Sequence, residues 1–362
     1  MSGAFFGIGI ALRALSAQQR ALDVTGHNIA NANTPGYSRQ VAVMVPTKPL
    51  PSAGLTFSGT VGKGQVGTGV VVEQIRRMRD EFVEIRYRKE VQTTSRWEAR
   101  RDALKQIELV LNEPSENGIQ GAMDLFWQSL QELSKNPESE AARAVVLQRA
   151  SVLTDSFGHV YLQLQALSRD IDKSIEVYVN EINSLAVQIS RLNQQISKVL
   201  AMGDQPNDLM DQRDSLIRKL SELADVRATP RERGMVSITL GGALLVEGNS
   251  VMPLLAKRSA PDAPVEIVWE RTGAPVAIGD GKIKGLLSIR EEEIPGLKNQ
   301  LNELAKTLIE KINELHRGGR GLDSSTGLDF FAGADASDIA VNPVLEADLR
   351  KIAAATPDPT TG

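Results

Sequence analysis

Within GHNIANANTPGYSRQ, residues Gly26 to Gln40, an imidazole (His27), three carboxamides (Asn28, Asn31, Asn33) and a phenol (Tyr37) crowd around Thr34-Pro35-Gly36. Such a set suits a phosphate loop, a catalytic turn, or the end of a helix whose amides satisfy loose backbone groups. Three further stretches carry side chains capable of chemistry. Gly62-Lys63-Gly64-Gln65-Val66-Gly67 fits the dinucleotide pattern G-x-G-x-x-G. It leads into Thr68-Gly69-Val70-Val71-Val72, however, a strand where a nucleotide site needs a helix N-terminus. Asp204, Asp208, Asp211 and Asp214 lack the spacing of an EF-hand loop and have Arg213 and Arg218 nearby, so helix capping and surface ion pairs are expected instead of a cation site. Asp323, Asp329 and Asp335 stand among Ser324, Ser325 and Thr326, the composition of ordinary turns.

Catalytic chemistry finds little else to use. The 362 residues hold no cysteine and only three histidines, His27, His159 and His316, and no G-x-S-x-G elbow occurs. No catalytic residue, cofactor site or metal site is assigned, His27 reads as a helix-end hydrogen bonder, and the chain is not expected to be an enzyme. A formal net charge of -4 with 24% charged residues gives no field that would draw the whole chain to nucleic acid or anionic lipid. The apolar start MSGAFFGIGIALRALSAQQR lacks a basic lead and is interrupted by Arg13, so neither a cleaved leader nor membrane insertion is expected.

The elements that must position these groups are mostly helical. Phe5, Ile8, Leu12, Leu15, Leu22 and Ile29 recur at heptad spacing, an amphipathic helix with one apolar stripe and no evident partner in the next 40 residues. A helix of that length is marginal alone, so the stripe needs a surface to cover it. Val41 to Val45 reads as a strand before a proline-punctuated connection, and Val70-Val71-Val72 as another. From about Gln74 to Leu111 the pattern is helical, with Phe82, Ile85, Trp97, Leu104, Ile107 and Leu111 as inward candidates. The basic run from Arg76 to Lys105 reads first as a solvated face and second as an interface with an acidic partner.

A shorter helix, Met123 to Leu133, stops at Asn136-Pro137, and Glu138 or Ser139 opens a very long one. Ile171, Ile175, Ile182, Leu185, Ile189, Leu192 and Ile196 form its coiled-coil core, and Leu209 to Leu223 folds back after Gly203. Short alternating runs between Ala228 and Leu287 make a small β subdomain. Ile294 to Leu315 is again helical, and Leu322 to Gly362 reads as loop with only Ile339 to Val344 extended. The expected fold is mainly α, an elongated antiparallel helical bundle or coiled coil with a small β subdomain. Its expected parts are 1–36 (terminal helix and turn), 37–73 (extended linker), 74–227 (helical bundle), 228–287 (β subdomain), 288–320 (returning helix) and 321–362 (loop-rich part).

The run Asn28-Ile29-Ala30-Asn31-Ala32-Asn33-Thr34-Pro35-Gly36-Tyr37-Ser38-Arg39-Gln40 after an amphipathic helix resembles the signature of bacterial flagellar rod, hook and hook-associated axial proteins. Within that group Asn207 to Asp214, Asn136-Pro137 to Arg143, and Gly327 to Asn342 around Phe330-Phe331-Ala332-Gly333 are similar to the hook-filament junction proteins. The resemblance implies a secreted, extracellular structural protein, exported without a cleaved leader through the flagellar type III channel and built into the hook-filament junction by self-assembly. Implied partners are a ring of copies of itself, the hook protein, and a neighbouring hook-associated protein or filament. It also implies a further C-terminal helix pairing with the N-terminal one, and an export chaperone on that region. Since the sequence stops at Gly362, it reads as a truncated piece lacking that helix. The competing expectation is a secreted helical adhesin or effector that binds a partner through its coiled coil.

Asn31 and Asn33 tolerate left-handed or turn geometry at a helix end, and Pro35-Gly36 suits the centre of a type II turn. The signature is then a joint between the terminal helix and the body.

Overall fold

The computed structural model describes residues 4–51, 65–113, 115, 118–260 and 263–355. In chain order the elements are α1 (Ala4–Ala30), β1 (Gln40–Pro46), β2 (Leu50–Pro51), β3 (Gln65–Val66), β4 (Val70–Arg77), α2 (Glu81–Leu111), α3 (Ile119–Lys135), α4 (Glu140–Ala201) and α5 (Asn207–Leu223). The strands β5 (Val226–Pro230), β6 (Val236–Leu240), β7 (Ala243–Glu247), β8 (Ser250–Val251), β9 (Leu254–Lys257) and β10 (Glu266–Trp269) come next. Last come α6 (Lys282–Ser288), a π-helical turn over Ile289–Glu293, α7 (Ile294–Arg317), β11 (Phe331–Ala332), β12 (Ala340–Val341) and α8 (Pro343–Ala347). The fold is mainly α with small sheets. Among the described residues no helix is long and apolar enough to cross a membrane, and no cluster of acidic or imidazole groups is placed to hold a metal ion.

The chain divides into two compact units. The first comprises Met1–Thr94, Tyr178–Lys257 and Glu266–Gly281. In it β1 pairs antiparallel with β4, from Gln40 opposite Arg77 to Pro46 opposite Val70, and α1 packs on this pair. The segment from Gln74 to Arg77 is therefore strand, not helix. Asp80 sets the true start of α2, its carboxylate accepting from the backbone N–H groups of Phe82 (2.9 Å) and Val83 (3.3 Å). Phe82 and Ile85, expected to face inward, are 67% and 54% exposed. The nucleotide-like glycine run lies partly at 62–64, outside the described residues, and leads into the strand β4.

The second half of α4 contributes Ile182, Leu185, Ile189 and Ile196 as buried residues and Leu192 as a half-buried one. Gly203, at φ +90°, turns the chain, and α5 folds back so that the Arg213 guanidinium donates to Asn193 Oδ1 of α4 at 3.0 Å. Strands β5 to β8 form an antiparallel meander. Gly241 and Gly242, both at positive φ, supply the two-residue turn between β6 and β7 that fits the twist of a hairpin. Asn193, fully buried, ties α4 to this sheet, donating to the carbonyls of Val236 (2.8 Å) and Gly248 (2.9 Å) and accepting from the Val236 N–H.

The second unit comprises Ser95–Val177, Arg258–Val265 and Lys282–Gly362. Ser139 caps α4, accepting from the Ala142 N–H at 3.2 Å, and Phe157, Leu164, Ile171 and Ile175 run along the buried face. Along α2 in this unit Ala103 and Ile107 are buried and Leu104 and Leu111 half-buried. Trp97, also expected inward, is 54% exposed and lies under the guanidinium groups of Arg96 and Arg100, which additionally pairs with Glu293. Arg290, in the π-helical turn, is buried and bonded to Asp172 at 2.6 Å, with Arg258 on the other carboxylate oxygen.

The described residues after Leu322 are mostly turns and irregular backbone, yet they pack as a cap. Phe330 and Phe331 stack edge-on at 4.8 Å and reach Phe126 of α3 at 5.8 Å each. Asn313 of α7 accepts from both of their N–H groups at 2.8 Å. Arg143, fully buried, donates to the carbonyls of Ile352 and Pro137. The segments 136–143 and 327–342 thus hold this cap. Of the loop aspartates, Asp323 caps the Ser325 N–H, Asp329 pairs with Arg317, and Asp335 caps the Ser337 N–H.

His316 closes the cap with its two ring nitrogens in opposite roles. Nε2 accepts from the Ala353 N–H at 2.9 Å, so Nδ1 must carry the proton given to the Leu328 carbonyl at 2.7 Å. Burial holds this histidine below its ordinary value near 6.5, outweighing the Leu328 carbonyl and Asp329, which both favour the charged form. The unfolded chain therefore binds the proton more readily, and stability present above about pH 6.5 is lost as pH falls below it. Melting between pH 7.5 and 5.5 is expected to show a falling midpoint that flattens in His316→Gln, whose amide keeps an acceptor for Ala353. Equal slopes in both proteins would contradict this assignment.

Candidate functional site: the signature turn and its anchorage

Two helical faces meet the turn. Phe6, Ile10, Ala14, Ala17, Ala21, Val24 and Asn28 recur every three or four residues on the side of α1 that is buried or half-buried. Three alanines on this seam let the helix backbone come close to the strands, and Arg13 donates to the Thr68 carbonyl at 2.6 Å. Phe5, Ile8, Leu12, Leu15, Leu22 and Ile29 lie roughly opposite at 3.6 residues per turn and are 61% to 87% exposed. The helix thus has a partner that sequence reasoning missed, the β1–β4 pair, yet its large apolar stripe is bare. The alanine spacing was visible in the sequence, but small residues carry little weight when apolar periodicity is tracked by size.

At the end of α1 the amides act as clamps. Asn28 Oδ1 accepts from the Gln40 N–H and the Tyr37 hydroxyl, both at 2.8 Å, and its Nδ2 donates to the Gln40 carbonyl at 2.8 Å. One side chain therefore takes both backbone groups of the first residue of β1, as a neighbouring strand would. Asn31 Nδ2 donates to the His27 carbonyl at 3.0 Å, and Asn31 Oδ1 accepts from Thr34 at 3.1 Å. Neither Asn31 nor Asn33 takes a positive φ, so these residues serve by hydrogen bonding or by position, not by left-handed geometry. Thr34 to Tyr37 closes with Tyr37 N–H on the Thr34 carbonyl at 3.2 Å and Gly36 at φ +86°, the geometry of a type II turn with Pro35 at its second position. A Cβ added at Gly36 would sit 3.3 Å from Ser215 of α5, so both conformation and space favour glycine.

The turn is anchored on α5. Ser38 N–H donates to Asp211 at 2.8 Å, Gln40 Nε2 to Asp208 at 2.9 Å, and Asn207 Nδ2 to Gln40 Oε1 at 3.2 Å and to the Ile75 carbonyl at 2.7 Å. Arg77 of β4 bridges Asp211 (2.7 Å) and Asp214 (2.8 Å), and Arg79 links Asp214 (2.7 Å) to Glu84 (2.8 Å). The aspartates of this stretch were expected to pair with Arg213 and Arg218. Asp211 and Asp214 pair instead with arginines from β4 and its exit, so the basic run from Arg76 is no continuous solvated face, and Asp208 accepts from Gln40. Burial alone would lower Arg77, but the bonds to Asp211 and Asp214 hold it above its ordinary value. Burial and the nearby charges of Asp208 and Asp211 raise Tyr37, keeping its hydroxyl a neutral donor to Asn28. His27 sets its ring edge-on to Tyr37 at 5.4 Å, with Nε2 3.6 Å from Asp208.

The polar groups named here bond to backbone, to one another or to a charge of the opposite sign. The arrangement is a joint between α1 and the body, built by two stretches about 170 residues apart. The helical domain of flagellar hook-associated protein FlgK matches residues 104–331, and the flagella basal body rod protein family matches residues 8–37. The second match covers α1 from Ile8 onward and the turn up to Tyr37, while the first contains α5.

The chain belongs to the flagellar hook-associated protein 1 family.

Flagellar hook-associated protein 1 of Bacillus subtilis is 32% identical over 366 aligned positions, covering 91% of this chain and 71% of that protein. The Salmonella typhimurium protein of the same name is 30% identical over 335, covering 90% and 59%. The chain thus spans between about three fifths and seven tenths of the length of these relatives. The solved flagellar hook junction protein FlgK of Burkholderia pseudomallei aligns with a TM-score of 0.58 at 26% identity, covering 67% of this chain and 45% of that one. The hook-associated protein 1 family is one of structural flagellar proteins, which places this chain in the flagellum.

Proposed function

We propose that this chain is a non-catalytic structural subunit that helps join hook to filament outside the cell, as a ring of copies between hook protein on one side and a neighbouring hook-associated protein or filament on the other. The observation that supports this most directly is α1: one face is locked to the β1–β4 pair, while six large apolar side chains stand in water on the other. A helix apolar on both faces is stable where both are covered, and a ring or tube of copies covers them. The signature joint then sets the direction in which α1 leaves the body. Export through the flagellar type III channel accords with the absence of disulfides in the 362 residues. A free adhesin has no use for a terminal helix matched to rod proteins, and the family favours the junction.

A strain lacking the gene tests this. It is expected to make hooks without filaments and to release filament protein into the medium, and the full-length gene is expected to restore attachment. Filaments attached normally in the deletion strain would overturn the proposal.

A further inference from the structure

Beside the joint, the first unit holds a cavity of about 400 Å³ whose wall carries more positive charge than the joint uses. Six arginines line it, against the three carboxylates of Glu81, Glu84 and Asp214. Arg77 and Arg79 are taken up by the aspartates of α5 and by Glu84. Arg76 from β4, Arg88 from α2, Arg213 from α5 and Arg231 from the β5–β6 connection are bonded to no carboxylate among the described residues.

Their existing bonds are to neutral groups. Arg213 is 5% exposed and donates to Asn193 and to the Gly234 carbonyl (2.6 Å), while its buried Nε has no acceptor. Arg231 donates to Ser237 and Arg88 to the Glu84 carbonyl. Burial pushes Arg213 down to about 10, and it lowers Arg88 as well, despite the nearby acids. Met210, Ile217 and Met235 form part of the same wall, which weakens screening and strengthens any charge–charge attraction inside.

Four arginines from four separate elements, lining one cavity with none bonded to a carboxylate among the described residues, match the chemistry that recognises oxyanions by forked hydrogen bonds. We propose that this cavity binds a small multivalent oxyanion of the phosphate or polycarboxylate type, held by Arg76, Arg88, Arg213 and Arg231. The bound anion cross-links β4, α2, α5 and the edge of the small sheet, and so stiffens the body to which the signature turn is fixed.

Titration calorimetry and melting with inorganic pyrophosphate and with citrate, each against sodium chloride at matched ionic strength, test this. The wild-type chain is expected to show saturable binding of at least one anion and a melting midpoint raised by about 5 °C at roughly a hundredfold excess over Kd. Arg88→Gln is expected to weaken binding at least tenfold. Arg76→Gln, at an exposed position where folding is not at stake, is expected to weaken it in the same direction. No saturable binding of either anion, or equal effects on wild type and both variants, would overturn the proposal.

Discussion

Asp211→Ala is expected to destabilise the first unit by roughly 3 kcal/mol, because it strips two partners at once in a place water barely reaches. The Asp211 side chain is 7% exposed, accepts from the Ser38 N–H, and bonds Arg77. Arg77 retains Asp214, which keeps the loss below that of a fully orphaned buried charge. The Ser38 amide has no such second acceptor in the described network, so the turn itself should loosen. Asp208→Asn is the control: that carboxylate is 62% exposed, and its amide still offers an oxygen to Gln40, so a change within about 0.5 kcal/mol is expected. Urea midpoints give the stabilities, and hydrogen exchange at the Ser38 amide localises the loss. If Asp211→Ala costs no more than Asp208→Asn, the joint is not held as described.

Charge on the bare stripe should have the opposite profile, leaving the fold intact and removing assembly. Leu15 and Leu22 are 68% and 70% exposed, so Leu15→Asp with Leu22→Asp is expected to shift the stability of the isolated chain by less than about 1 kcal/mol. In an assembly that covers the stripe, six large apolar side chains contribute on the order of 10 kcal/mol of gross transfer free energy before the costs of association. Two unpaired carboxylates forced into that contact cost several kcal/mol each. Cells carrying the double variant are therefore expected to export the protein yet lose attached filaments and motility, with circular dichroism of the purified chain unchanged. Normal motility would remove the stripe from the assembly surface.

Legibility in the sequence tracks the range of the forces involved. The stripe of α1, the heptads from Ile171 to Ile196, the cap at Ser139 and the turn at Pro35-Gly36 are local patterns, set by 3.6-residue periodicity and by residues with restricted backbones. The start of α2 was misplaced because Gln74 to Arg77 is claimed by pairing with β1, a tertiary contact that overrides local propensity. Phe82, Ile85 and Trp97 misled because α2 is so densely charged that its apolar residues define no single face. The bonds of Ser38 and Gln40 to Asp211 and Asp208, and of Arg77 to Asp211, span more than 130 residues, and nothing near an aspartate tells which arginine will reach it. The cap beyond Leu322 stayed hidden because its burial rests on a few residues, Phe330, Phe331, Ile339, Val341, Leu345 and Ile352, set in polar surroundings without periodicity.

The most direct test of the assembly surface is thiol labelling of Leu22→Cys. The 362 residues contain no cysteine, so within them this thiol reports on one place alone. With Leu22 70% exposed, the soluble protein is expected to react fully with a maleimide, and the same residue in intact flagella is expected to be protected at least tenfold. Equal reactivity in the soluble and assembled states would contradict the account.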